Sequence, residues 1–326
     1  MAQLFPDESL VDSPGCRFNI ALSVDLDEWY HSQRWLDGEQ SVRLPDRRAL
    51  FRRIYSADRP CGEILGPTRQ LLQLFRRFEV KCTFFALGEI AEWYPDLIRE
   101  IASQGHEIGS HGLNHVDMTV LGPETFRQHL RETGDALQRL TGERPTGFRA
   151  PNLVYEPWAT RILEAEGFLY DSSVVASRAF GGKYRGWKNA PTSPYHPAYS
   201  DIAKRGDAKL FELPLPPVPL IRLPAGSGIM TRAFGRAWTL TGLCHALRNG
   251  HTGYYCHPWE VGPRPLACPR TLKSRVFFRR TGPWMLRTLE NLLERFASRI
   301  VPCHRCALDV DPGPVLIEES TSQGLR

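Results

Sequence analysis

One carboxylate and two histidines, each placed just beyond an apolar run, would make a three-ligand set of the kind that holds a divalent metal. Three segments supply the chemistry: Ser23-Val24-Asp25-Leu26-Asp27-Glu28, Gly105-His106-Glu107-Ile108-Gly109-Ser110-His111-Gly112-Leu113-Asn114-His115, and Tyr254-Tyr255-Cys256-His257-Pro258-Trp259-Glu260. A carboxylate with His111 and His115 makes three protein ligands, which leaves a coordination position for water. The two histidines are four apart, a spacing that points both imidazoles the same way on a helical turn. Gly109, Ser110 and Gly112 permit a tight loop there. His106-Glu107 is followed by three residues before His111, where the zinc-protease HExxH needs two, so that motif is absent and His106 is read as structural. Asp25 and Asp27 alternate on an extended strand and so point together. One of them can ligate a metal while the other takes a proton from water. The pattern is that of a metal-dependent hydrolase.

Other residues at run ends fit around this set. Arg149, in Gly147-Phe148-Arg149-Ala150-Pro151, can fix a carboxylate such as Asp25 through a bidentate pair and keep it ionised. His257 can donate a proton to a leaving group, because histidine titrates near neutral pH. Asp171 and Glu260 are candidate supporting partners. Trp29, Tyr30, Trp187 and Trp259 are candidate sugar-stacking platforms, and packing explains each of them equally well.

The elements that must position these side chains alternate in type. Apolar runs at 18–27, 82–87, 106–110, 147–150 and 168–175 read as strands, and the stripes at 66–78, 95–104, 123–140 and 157–166 read as helices. Thr141-Gly142 and Gly167 are helix-closing signals. Strand–helix–strand repetition implies parallel pairing with right-handed crossovers. In closed barrels of that kind chemistry sits at the C-terminal ends of the strands, where every segment above falls. The stretches 31–65 and 176–210 read as long loops covering that face, and 211–217 as a strand running into a rigid turn. The aromatic and arginine-rich stretch 275–300 reads as a helix docked on the domain, with contact to an anionic membrane as the minor reading.

Composition sets the frame. The chain has 326 residues, 42% of them apolar, and a net charge of +5 from 41 basic and 36 acidic residues, too small and dispersed an excess for a nucleic-acid binder. Residues 1–14 carry neither a basic segment nor an apolar core of the secretory type, and no run reaches the ~20 apolar residues of a spanning helix. The expected location is cytoplasmic, with possible peripheral contact at the inner membrane. The eight cysteines are then expected as thiols, and Cys303-His304-Arg305-Cys306 as an incidental pair in the tail.

Taken in order, Asp25 with Asp27, His111 with His115, Arg149 with Pro151, and His257 resemble the motifs of the polysaccharide deacetylase family, carbohydrate esterase family 4. The resemblance covers roughly residues 18–260. The Tyr-Asp-Ser-Ser and His-Pro-Trp-Glu segments look most like a bacterial subgroup found with exopolysaccharide synthesis loci. The chain departs from the common family form in three places. Leu26 separates the aspartates, Gly112 stands where Ser or Thr is usual, and Asn152 follows Pro151 in place of Tyr.

The resemblance implies a distorted parallel (β/α) barrel of about seven strands. It implies Zn²⁺, or another divalent ion such as Co²⁺, Ni²⁺ or Mn²⁺, held by Asp27, His111 and His115, with Glu28 open as the alternative carboxylate. Asp25, oriented by Arg149, would act as base and His257 as acid. Asn152 would serve the oxyanion through its backbone N–H, Pro151, Trp187 and Trp259 would line the substrate site, and Asp171 and Glu260 would stand behind them. The implied reaction removes an N-acetyl or N-formyl group from an amino sugar that is free, oligomeric or lipid-linked. The alternatives are a metal-independent ureide or cyclic-amide hydrolase of the same fold, and a non-catalytic sugar-binding module. The expected organisation is an extension at 1–17, a catalytic domain with its docking helix at 18–300, and a tail at 301–326. Oligomeric state is left open.

Overall fold

Strand β1 (Ile20–Leu26) is buried along its whole length. Ile20, Leu22, Val24 and Leu26 enter the largest apolar cluster, among helix residues such as Leu71, Phe75, Ile98 and Leu289. Ala21 packs on the other side, with Phe85, Tyr170 and Phe211. The two-residue period therefore sends the even positions to the helical layer and Ala21, Ser23 and Asp25 into the concave interior. A strand covered on both faces needs apolar residues on both, hence its nearly continuous run. The structure is a computed structural model and describes residues 18–32, 46–179, 186–265, 268 and 271–308.

The remaining strands are β2 (Thr83–Ala86), β3 (Glu107–Ser110), β4 (Gly147–Phe148), β5 (Tyr170–Asp171), β6 (Pro197–Ala198), β7 (Asp201–Arg205), β8 (Phe211–Glu212), β9 (Thr252–Cys256) and β10 (Ile300–Val301). Parallel pairs join β9, β1, β2, β3, β4, β5 and β8 in that order. Val175 bridges Leu215 and Ser227 bridges Tyr255, both in parallel, so the series curls back toward β9. The parallel pairing is what the alternation implied, and the distorted barrel is what the resemblance implied. Its interior is tight: a Cβ on Gly109 would stand 2.6 Å from the Phe85 ring, and one on Gly147 would stand 2.1 Å from the Tyr170 ring.

Helices close the outer face as expected. Leu65–Arg77 buries Leu71, Leu72, Leu74 and Phe75, and Pro95–Ser103 buries Leu97, Ile98 and Ile101. Burial of each such side chain is worth about 1.5–3 kcal/mol. Met118–Thr141 starts one turn before the expected helix, breaks at Gly122 and resumes at Pro123. It ends at Gly142, whose left-handed backbone (φ 88°) lets its N–H bond the Gln138 carbonyl. Pro283–Phe296 docks by Met285, Leu289, Leu292, Leu293 and Phe296 into the main cluster.

Three expectations need correction. The stretch 31–65 holds a helix, Arg47–Tyr55, which buries Leu50 and Phe51; its high charge hid so narrow an apolar face. The stretch 176–210 holds the antiparallel pair β6–β7, and Tyr195 also bridges Glu212. Residues 33–45 and 180–185 of these stretches lie outside the described residues. The expected tail starts too early at 301: Val301 pairs with Ala21, and Cys303 and Cys306 are fully buried in the helix Cys303–Leu308. Those cysteines fill the barrel's lower interior, so they are core residues and not incidental ones.

Candidate active site

Asp27 lies just past β1, where its N–H bonds the Asp25 carbonyl at 2.9 Å and turns the chain. His111 follows β3, its N–H bonded to the Ala86 carbonyl at 2.9 Å. The loop that carries His115 is not a helical turn. Gly112 (φ 78°) and His115 (φ 60°) both take left-handed backbone, and the Gly112 and Leu113 carbonyls accept the N–H groups of Gly88 and Glu89. This loop brings Asp27, His111 and His115 together, with one ligand atom from each all within 4.8 Å of one another. His115 Nε2 stands 3.5 Å from Asp27 Oδ2, with side chains 6% and 1% exposed.

The donor set fits a divalent cation. His111 Nδ1 donates to the Arg149 carbonyl at 2.8 Å, which fixes the tautomer and leaves the Nε2 lone pair available. Burial pushes the pKa of His111 down, and that of His115 well below the ordinary value, so both rings are neutral. His115 Nδ1 is buried without a hydrogen-bond partner. Glu28 is turned elsewhere: Tyr94 donates to its Oε1 at 2.8 Å, and burial raises its pKa to about 8. The carboxylate that joins the histidines is therefore Asp27. Its Oδ1 accepts from the Trp259 indole N–H at 3.1 Å.

Asp25 sits inside the barrel beside Arg149. Nη1 of the arginine reaches Asp25 Oδ1 at 2.7 Å and Ser23 Oγ at 2.7 Å, while Nε and Nη2 bond the carbonyl and hydroxyl of Ser172 at 2.8 Å each. The contact is thus single and not the expected bidentate pair, because Ser23 and Ser172 take the other N–H groups. Phe85 and Tyr255 cover the guanidinium, with ring centres at 4.3 and 5.0 Å. Burial alone would raise the Asp25 pKa, but Arg149, His111 and His257 outweigh it and hold it below the ordinary carboxylate value.

His257 ends β9. Its Nδ1 pairs with Glu260 Oε1 at 2.7 Å, and Glu260 Oε2 accepts from Arg232 Nε at 2.7 Å. Burial would raise the Glu260 pKa, but Arg232 and His257 pull it below the usual value, so the carboxylate is charged. Only glycine fits at 228, since a Cβ there would stand 2.6 Å from both Glu260 oxygens. With Nδ1 committed, the far side of the imidazole is left for chemistry.

The other expected residues divide. Asn152 takes left-handed backbone (φ 56°) and its side chain donates to Asp117 at 2.7 Å. Pro151 is buried beside Gly112. Asp171 does not touch the metal cluster. It accepts from Ser173 Oγ at 2.7 Å, and Ser173 Oγ accepts from the Ala150 N–H at 2.8 Å, so it steadies the chain leading into Pro151. Burial raises the pKa of Asp171, and still more that of its neighbour Glu212. Trp259 is no stacking platform: it is buried, with its ring between His257 and Phe277 at 4.9 and 5.0 Å. Trp29 and Tyr30 are likewise buried, and Trp187 is half-buried against the cluster around Phe148. Sequence reasoning gave no role to Ser23, Ser172 and Arg232, whose partners lie far away in the chain. A cavity of about 660 Å³ lies at the opposite end of the barrel, lined by strand starts such as Glu107, Tyr170 and Phe211, and none of the site residues borders it.

Residues 65–170 match the family model described as polysaccharide deacetylase. A peptidoglycan deacetylase of Helicobacter pylori is 28% identical over 158 residues, 48% of this chain and 49% of that protein. A peptidoglycan-N-acetylglucosamine deacetylase of Bacillus cereus is 36% identical over 140 residues, 38% of this chain and 50% of that protein. The chain thus spans about half the length of these curated relatives. Among solved structures, a candidate polysaccharide deacetylase from Mycobacterium smegmatis superposes with a TM-score of 0.59 at 21% identity, covering 90% of this chain and 91% of that one, a likeness of fold.

Proposed function

We propose that this chain, which carries a polysaccharide deacetylase domain, is a metal-dependent hydrolase that removes the acyl group from an N-acetylated amino sugar. The observation that carries this reading is the buried cluster of Asp27, His111 and His115 with the Asp25–Arg149 and His257–Glu260 pairs around it. The similarity to a peptidoglycan deacetylase and a peptidoglycan-N-acetylglucosamine deacetylase supports an acetamido sugar as substrate.

Asp27, His111 and His115 would hold the ion. When bound, it supplies Lewis acidity toward water and the acyl oxygen, and zinc suits this donor set best. Asp25, kept ionised by Arg149, accepts the proton of the attacking water. The backbone N–H of Asn152, which follows Pro151, would serve the developing oxyanion. His257, with Nδ1 held by Glu260, gives a proton to the departing amine. Trp259 steadies the Asp27 carboxylate, a role it takes in place of sugar stacking.

We place the protein in the cytosol. Cys82, Cys244, Cys256 and Cys303 are buried thiols, which suits a reducing compartment. Among the described residues no helix is long and apolar enough to cross a membrane.

The test is acetate or formate release from a panel of N-acyl amino sugars, with added zinc and with chelator. Release that requires metal supports the reading and identifies the acyl group. Release that persists unchanged with chelator, or no release with no bound metal, overturns it.

A further inference from the structure

Between residues 261 and 289 the chain carries Arg264, Arg270, Lys273, Arg275, Arg279, Arg280 and Arg287 and no Asp or Glu. The helix Leu272–Phe277 lies in this run and has two unlike faces. Its inner side is built in: Ser274 is buried and accepts from Arg264 at 2.7 Å, and Phe277 stacks on Trp259 at 5.0 Å. Its outer side leaves Leu272 76% and Val276 66% exposed. These two are four residues apart, hence one turn apart on the same side. Lys273, Arg275 and Arg279 are exposed around them. A single exposed aliphatic residue needs no explanation. Two on one helix side, inside a basic run without an acid, form the pattern of a helix that lies in a lipid interface.

We propose that this face docks on an anionic lipid bilayer, with Leu272 and Val276 entering between the headgroups and Lys273, Arg275 and Arg279 on their phosphates. The helix follows Pro258–Val261, which begins where β9 ends, so it stands at the same end of the barrel as the candidate active site. Phe277 touches Trp259, and Trp259 donates to Asp27. Docking there brings the metal cluster to sugars carried at the membrane. That consequence rests on the deacylase reading, whereas the lipid binding does not.

The experiment is co-sedimentation of the full chain with vesicles of phosphatidylcholine alone and of phosphatidylcholine with phosphatidylglycerol, at low and high salt. Binding is expected to the anionic vesicles only and to weaken with salt. Leu272→Ser/Val276→Ser and Lys273→Glu/Arg275→Glu should each weaken it about tenfold or more. Both pairs should leave acyl release from a water-soluble N-acetylated oligosaccharide unchanged. Absence of binding to anionic vesicles, or full binding by both variant pairs, overturns the proposal. Binding to dextran sulfate that only the charge-reversed pair loses, with no vesicle binding, also overturns it and marks a polyanion surface. Vesicle binding that behaves as expected in a protein without acyl release sinks the catalytic reading alone.

Discussion

Glu260→Gln is the most informative perturbation, because Glu260 joins a structural group to a chemical one. Its carboxylate is fully buried and lies 2.7 Å from Arg232 Nε and 2.7 Å from His257 Nδ1. Glutamine keeps the shape and removes the charge. Arg232 is then left as a buried cation, and breaking such a pair from one side costs about 3–5 kcal/mol. Glutamine retains one acceptor oxygen, which puts the loss near the lower end, about 3 kcal/mol. For a domain of this size with about 5–15 kcal/mol of total stability, this lowers Tm by about 5 °C. Adding Arg232→Met removes the stranded charge, and an apolar replacement of a buried pair is close to neutral, so most of the stability returns. Catalysis should not return with it. His257 still lacks the carboxylate that orients it, and kcat should stay about 10²-fold below wild type, within the 10²–10⁴-fold share of proton transfer. The assays are thermal unfolding and steady-state acyl release on the same preparations. A double variant that regains activity together with stability would refute the reasoning and leave Glu260 a purely structural role.

His111→Ala should abolish stoichiometric zinc in metal analysis, whereas His257→Ala should keep it and slow acyl release about 10²–10⁴-fold; equal metal loss in both would sink the division of roles. Burial, and next to it Lys81, pushes the pKa of His106 from 6.5 to about 4. The unfolded chain therefore binds the proton more tightly, and this site's contribution, full above pH ~6.5, is lost as pH falls to about 4, an effect of order 3 kcal/mol. Urea unfolding from pH 7 to 4.5 should show a flatter slope for His106→Gln, and an unchanged slope would exclude the site. Gly147→Ala places a Cβ 2.1 Å from the ring of Tyr170, whose hydroxyl donates to Glu107 at 2.7 Å. Overpacking of this kind costs about 1–3 kcal/mol, and an unchanged urea midpoint would show that the barrel interior can yield there.

The sequence by itself determined the alternation of strands and helices over most of residues 66–175, because the periods of 2 and 3.6 residues are local properties that burial on one or two faces imposes. It also placed Asp25, Asp27, His111, Arg149 and His257 at strand ends, since each follows an apolar run. Local pattern failed where the buried face is narrow, as in Arg47–Tyr55, or where pairing is made to distant chain, as at Val301 on β1. Only the tertiary structure decided which carboxylate meets the histidines. The bond from the Asp27 N–H to the Asp25 carbonyl turns Asp27 toward His115, and Tyr94 draws Glu28 away. It alone turned Trp259 from a surface platform into a partner of Asp27, and found Arg232 behind Glu260, 28 residues away in the chain. Side-chain types at strand ends are written locally, but the direction of a buried charge is set by its partners, and those arrive from elsewhere in the chain.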